Sequence, residues 1–196
     1  TNSIAKRFDR VCEVLAELGY LTSAGNRGQV TDDGRVLMRL YTESDLLTAQ
    51  SLRDHAWQSL SPAELAAVCA AVVYESRGPD EDTPVAMPNA NVRSAVGDLS
   101  VLWSSLHEVE ARHGLDATRR PDPGMVDATY RWATGSGLLN VLTRADITAG
   151  DFVRWIRQVI DLLGQIAQAV PPDDPLRATA NTAADLINRG VVATTT

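Results

Sequence analysis

Residues 148–170 place the tightest constraint on what this chain can fold into. From Thr148 the sequence runs A-G-D-F-V-R-W-I-R-Q-V-I-D-L-L-G-Q-I-A-Q-A-V, in which Phe152, Ile156, Val159, Leu163, Ile166 and Val170 recur at steps of three and four. Such steps stack on one side of an α-helix, so the segment reads as a long amphipathic helix with one buried stripe. Thr148 is placed to cap it, and Asp151 three residues on predicts a capping box. A second line along the helix holds Arg154, Gln158, Asp161, Gln165 and Gln168. Solvated helix faces usually carry Lys and Glu; amides and guanidinium groups instead suit base edges and phosphates. That face fits a groove better than open water.

The other segments read as further helices. Ile4, Phe8, Val11, Leu15 and Leu18 form an apolar stripe over Ser3–Gly19, and Gly19 stops that helix. Tyr20–Thr31 contains Gly25, Asn26 and Gly28 and reads as a turn with room for a minor β hairpin. Thr31–Leu40 opens a short helix, and Thr42 or Ser44 caps the next, which runs to about Ala56. Ser61-Pro62-Ala63-Glu64 is a capping box with proline at the first helical position, opening a helix to Tyr74. Gly78–Asn89, with three prolines and the acidic run Asp80, Glu81 and Asp82, is expected to be a mobile surface loop. Val92, Val96, Leu99, Trp103, Leu106 and Val109 predict a helix from Asn91 to His113. After a loop over Asp116–Pro123, shorter helices are expected over Asp122–Ala133, Gly137–Thr143 and Pro175–Arg189. Strand signals are minimal and no solenoid period appears. The fold class is therefore all-α, a helical bundle with a small winged-helix-like N-terminal edge.

Composition narrows the function classes. Lys and Arg total 18 against 25 Asp and Glu, a net charge of −7. Residues 41–110 carry 3 basic and 11 acidic groups, while residues 111–196 carry 9 of each, so the acidity lies away from the long helix. A chain of this balance grips nucleic acid weakly on its own, because phosphate neutralisation supplies most non-specific affinity. Cys12 and Cys69 each sit on an apolar helical face and read as buried thiols, not a disulfide framework. No apolar run is long enough to span a bilayer and no signal peptide is visible. The chain opens on Thr1, so a longer parent polypeptide is expected.

Catalytic motifs fail on spacing. His107-Glu108 and His113 put the histidines six apart, on different helix faces, whereas a zinc helix needs them four apart. Gly135-Ser136-Gly137 follows a helix, not a strand, and lacks the third glycine of a dinucleotide loop. There is no Walker loop and no D-E-x-H box, so no activity is expected from these residues alone and no cofactor is assigned to them.

The blocks Leu60–Glu75, Tyr130–Gly135, Gly150–Arg154 with Asp161–Leu163 and Gln165-Ile166, and Ala178–Ala193 resemble, in order and spacing, the DSHCT domain. That is the helical C-terminal domain of Ski-like DExH-box RNA helicases; bacterial, in particular actinobacterial, members are nearest in pattern. The resemblance covers roughly residues 8–193. It implies a winged-helix-like segment over 1–41 and a DSHCT-like bundle over 42–196, with a ratchet-type helix at 149–170. It implies an accessory domain of an ATP-dependent superfamily-two RNA helicase, guiding single-stranded RNA past RecA-like motor domains of the same chain. ATP and magnesium would belong to those motor domains. The expected chain is a cytoplasmic monomer without membrane contact.

The resemblance implies RNA-binding roles for Arg154, Arg157 and Gln158, although the family often has a basic residue where Gln158 stands. In the family the long helix lies along the RNA exit path and contacts a base, and Glu75 matches a family glutamate facing that same channel. On physics alone the arginines serve equally well in surface ion pairs, and Glu75 is a carboxylate at a helix C-terminus, where the dipole disfavours it slightly. Trp132 and Trp155 are the tryptophans a base could stack on, but core anchoring is the commoner fate of Trp at helical spacing, and Trp57, Trp103 and Trp132 read as core anchors; Trp155, one residue off the apolar stripe, is expected to pack against a neighbouring domain. Two other classes stay open: a winged-helix DNA-binding regulator, for which Thr31–Leu40 supplies only Arg35 and Arg39, and a structural interaction module.

Overall fold

The computed structural model describes residues 2–40, 44–76 and 84–194. Among them are α1 (Asn2–Glu17), α2 (Asp32–Met38), α3 (Asp45–Arg53), α4 (Pro62–Val73), α5 (Ala90–Arg112), α6 (Val126–Ala133), α7 (Leu138–Ala145), α8 (Ala149–Ala169), α9 (Pro175–Ile187) and α10 (Val191–Thr194). A 3-10 turn over Pro123–Met125 leads into α6. No strand forms among the described residues, and the predicted hairpin is a single antiparallel bridge between Leu21 and Val30. The chain is all-α.

The architecture is set by α4. Its sequence P-A-E-L-A-A-V-C-A-A-V-V is apolar all round, and every residue from Ala63 to Val73 is buried. A helix without a polar face belongs at the centre of a bundle, and α5, α6, α8 and α9 pack around this one. Ala66, Ala67, Ala70 and Ala71 keep its surface low, so neighbouring helices approach closely. From α8 the predicted stripe of Phe152, Ile156, Val159, Leu163 and Ile166 is buried against it. Leu176, Ala180, Ala183 and Ile187 of α9 complete that side. One core runs from Tyr20 to Val192, taking in both the N-terminal edge and the bundle.

Helix ends follow the residues placed there. Ser61 accepts from the Glu64 amide at 3.2 Å while the Glu64 carboxylate accepts from the Ser61 amide at 2.9 Å, so the capping box is complete. The second Glu64 oxygen accepts from Asn89 Nδ2 at 2.9 Å, tying the start of α4 to the start of α5. Thr148 caps α8 through the Asp151 amide at 3.2 Å, but the box predicted there is half made: the Asp151 carboxylate turns to Arg154. Asp is one methylene shorter than the Glu of a full box. Ser44 stands at the N-cap position of α3 without a side-chain capping bond; Thr42 and the acidic run at 80–82 lie outside the described residues.

Arg189 closes the C-terminal tail onto α6. It donates to the carbonyls of Trp132 at 2.7 Å and Ser136 at 2.8 Å, and its guanidinium lies 3.6 Å from the Trp132 ring centroid. Trp132 is buried, with Nε1 donating to the Ile187 carbonyl at 2.8 Å.

The N-terminal helix departs from expectation. Gly19, at φ +86°, stops it as predicted. Its apolar stripe is not covered: Ile4 is 76% exposed, Phe8 67% and Val11 36%. Cys12, expected to be buried, is half-buried, whereas Cys69 is buried. The cause is the direction of α1, which meets the body through its C-terminal turns and leaves residues 2–11 in solvent. The two outer histidines of the rejected zinc pattern point apart: His107 stacks on Trp103 at 5.1 Å, and His113 bonds Glu13 and Glu17.

Candidate nucleic-acid interface

Glu75 and Arg154, far apart in sequence, line one cavity of about 210 Å³. The end of α4 brings Tyr74 and Glu75 to its wall; the α7–α8 turn brings Asp146, Ile147 and Thr148; the first turns of α8 bring Asp151, Arg154 and Trp155. Each element arrives for a local reason. Tyr74 ends α4 in an extended conformation. Asp146 takes a left-handed conformation at φ 50° after α7 and turns the chain directly into the Thr148 cap.

Trp155 is the wall's central feature. It sits beside the buried stripe of α8, half-buried, with its ring edge-on to Tyr74 at 5.1 Å and 76°. The Arg154 guanidinium lies 4.8 Å from the Trp155 ring centroid and donates to Asp151 at 3.3 Å. Gly124 backs the Tyr74 ring: a Cβ there would stand 2.6 Å from the ring, so only glycine admits it at this depth. Burial raises the Tyr74 hydroxyl's pKa, and Asp122 and Asp151 add to the shift.

The four residues named from the sequence end up in different roles. Arg154 is exposed and points to the cavity rim. Gln158 is exposed one turn further along α8. Arg157 is half-buried and reaches the Val192 carbonyl at 3.4 Å, on the side of α8 facing α10. The Glu75 carboxylate accepts from Arg119 at 2.8 Å. Arg119 also donates to the Val72 and Val73 carbonyls at 3.2 and 3.1 Å. A cation thus sits at the negative end of α4 and removes the mild dipole cost of Glu75. Sequence reading missed Arg119, which lies in a loop without periodicity, and Tyr74, whose only signal was its place before Glu75.

Glu75, Asp146, Asp151 and Arg154 all line the cavity, with Asp151 bonded to Arg154 within α8 and Glu75 to Arg119. Carboxylates exceed cations there, so the cavity repels phosphate and favours groups that donate hydrogen bonds. Exposed amino and imino edges of nucleobases are such groups, and the half-buried Trp155 ring beside them has a π-face on which a base can stack. A second cavity of about 410 Å³ shares Tyr74 and Ala145 with the first and extends past Arg131 and Arg144 of α6 and α7. Among the described residues no cluster of His, Cys, Asp or Glu could hold a metal ion, and no helix is long and apolar enough to cross a membrane.

The profile of the DSHCT (NUC185) domain matches residues 27–195. The chain belongs to the DSHCT family. Over 98% of its length it is 46% identical to the probable helicase HelY of Mycobacterium leprae, covering 22% of that protein. It is 30% identical to the chloroplastic DExH-box ATP-dependent RNA helicase DExH15 of Arabidopsis thaliana, over 94% of this chain and 16% of the relative. Human Superkiller complex protein 2 is 27% identical over 92% of this chain and 14% of its own. This DSHCT domain therefore spans between about a seventh and a fifth of these relatives.

Proposed function

We propose that this DSHCT domain is the C-terminal accessory part of an ATP-dependent superfamily-two RNA helicase and guides single-stranded RNA past the RecA-like motor domains of the same polypeptide. The observation that supports this reading is the convergence of Tyr74, Glu75, Arg154 and Trp155 on one cavity. In it, a base leaving the motor stacks on the face of the Trp155 ring, Arg154 contacts it from the rim, and Glu75 or Asp151 accepts from its amino edge. Gln158, one turn on, meets the next nucleotide. Phosphate contacts belong mainly to the motor domains, as do ATP, magnesium and hydrolysis. The domain works in a cytoplasmic monomer and catalyses nothing by itself.

A purely structural module is the second reading, supported by two named residues that already serve the fold: Glu75 pairs with Arg119, and Arg157 bonds the tail. The DNA-regulator reading is disfavoured by α2, where Arg35 is held by Asp32 and Arg39 reaches the Gln168 carbonyl at 3.4 Å.

The deciding experiment uses the full-length helicase on a 3′-tailed RNA duplex. Arg154→Ala and Trp155→Ala should each slow unwinding roughly tenfold, the scale of losing one stacking or base contact, and Arg154→Ala should do so without moving the denaturation midpoint of the domain. Wild-type unwinding by both variants would leave the structural reading standing.

A further inference from the structure

The larger cavity, of about 410 Å³, shares Tyr74 and Ala145 with the smaller one, but its side chains offer the opposite chemistry. Its two carboxylates are already engaged. Asp122 accepts from the Gly124 amide at 2.9 Å through one oxygen and from the Ser76 amide at 3.0 Å through the other. Asp127 accepts from Arg131 Nε at 2.8 Å, one turn away on α6. The two guanidinium groups have donors to spare. Arg131 holds Asp127 through Nε and keeps both η nitrogens for a further partner. Arg144, exposed in the last turn of α7, makes no hydrogen bond or ion pair among the described residues. The turn that places these two arginines is fixed by Arg189 on the Trp132 and Ser136 carbonyls. The buried side chains of Ala128 and Val141 also line the cavity, and charge pairs are screened less there than on an open surface. Charges of each sign balance across it, so an arriving anion meets no net repulsion and finds forked donors that match a phosphate.

A single strand of RNA presents the same alternation. A planar base carries hydrogen-bond donors on its edge, and a phosphodiester with one negative charge follows it. The smaller cavity, where carboxylates outnumber the one guanidinium group, suits the base and turns the phosphate away. The larger cavity suits the phosphate, and the Tyr74 wall between them brings both within reach of one nucleotide. We infer that the larger cavity is a phosphate subsite, in which Arg144 and Arg131 hold the phosphodiester next to the base stacked on Trp155. Arg144 makes the main contact, because it gives up no partner to do so. Arg131 adds its η nitrogens while Nε stays on Asp127, which keeps the fork oriented. The inference rests on the reading of the smaller cavity as a base site. One contact of this kind leaves the isolated chain a weak binder, since phosphate affinity accumulates over many contacts.

The test uses the full-length helicase and a 3′-tailed RNA duplex, whose junction fixes the register of the tail. Uncharged methylphosphonate linkages are placed in the tail one at a time, and binding is measured without ATP. Among the linkages whose neutralisation weakens binding, one should lose its penalty in Arg144→Gln. There the loss should fall from about tenfold, the scale of one charge-assisted hydrogen bond, to under about twofold, because the contact is already gone. On unmodified RNA, Arg144→Gln should flatten the dependence of log Kd on log salt by about 0.7, the share of one phosphate on a single strand. Arg144→Lys, which keeps the charge, should restore that slope. Arg144 is exposed and unpartnered, so neither variant disturbs the fold. If every linkage keeps its wild-type penalty in Arg144→Gln, or if the salt slope is unchanged, the proposal is overturned. A penalty reduced equally at all linkages would mark diffuse attraction and overturn it as well. Abasic nucleotides walked through the same tail separate the two cavities. An abasic position that loses its penalty in Trp155→Ala, with no such linkage for Arg144→Gln, keeps the base site and removes the phosphate subsite; the reverse result keeps the subsite and removes the base site.

Discussion

Arg119 joins two jobs in one side chain. It satisfies the last carbonyls of α4, which no intrahelical donor reaches, and it fixes the carboxylate that faces the cavity. The two partners differ in exposure: the Arg119 side chain is 26% exposed and that of Glu75 63%. Removing them should therefore have unequal consequences for stability. Arg119→Ala leaves buried carbonyls without a donor and should lower stability by about 2 kcal/mol. Glu75→Ala breaks an exposed ion pair and should cost under about 1 kcal/mol, while still disturbing unwinding if the cavity reads bases. Urea denaturation of both variants, beside unwinding by the full-length protein, separates the jobs. Ser61 offers a second case. Because its box also holds Glu64 on Asn89, Ser61→Ala should cost at least about 1 kcal/mol, read as a fall in the denaturation midpoint; an unmoved midpoint would show that the box carries no stability.

At the scale of the element, α1 and α8 are both amphipathic, yet α8 buries its stripe throughout and α1 only at its C-terminal end. Val14, Leu15 and Leu18 fasten the end of α1 by apolar contact, and a cluster of charges beside them adds a hold that titrates. Hydrogen bonds to Glu17, then Glu13, raise the pKa of His113 above its ordinary 6.5. The bond to His113, then Arg112, holds Glu17 below its ordinary 4.5. A histidine with a raised pKa contributes stability that is fully present below pH 6.5 and is lost as pH climbs through the raised value. A carboxylate with a lowered pKa contributes stability present above pH 4.5 and lost as pH falls through the lowered value. The hold on α1 should thus be firmest between pH 4.5 and 6.5 and loosen on both sides. In NMR titrations His113 should lose its proton above 6.5, and Glu17→Gln should bring that value back down. An ordinary titration in the wild-type chain would mean that the clip does not form in solution.

For the molecule as a whole, the net charge of −7 weighs against tight RNA binding by these residues alone. The candidate cavity sharpens that, since its own carboxylates outnumber its guanidinium group. The isolated chain should bind a single-stranded RNA with Kd near 10⁻⁴ M or weaker at physiological salt, the weak end of non-specific binding. Fluorescence anisotropy with a labelled oligonucleotide reads this directly. A micromolar Kd would locate the main RNA grip within the bundle and overturn the view that the motor domains supply the phosphate contacts.

The sequence by itself determined what depends on neighbours a few residues apart. The 152–170 stripe, the Ser61 box, the Gly19 stop and the all-apolar α4 follow from helical periodicity and capping, which act within one or two turns. It also carried the family, through the order and spacing of its blocks. Tertiary structure alone decided what depends on distant partners. Arg119 reaches α4 across a loop, Arg189 wraps the Trp132 ring from the far tail, and Arg157 turns to Val192 instead of to the open face. Tyr74 and Trp155 meet only because α4 and α8 cross at their ends. The stripe on α1 shows the limit most plainly. Periodicity fixed which residues share a face, but only Leu15 and Leu18 of that face meet this chain's core, because how much of a face is buried depends on what lies opposite it.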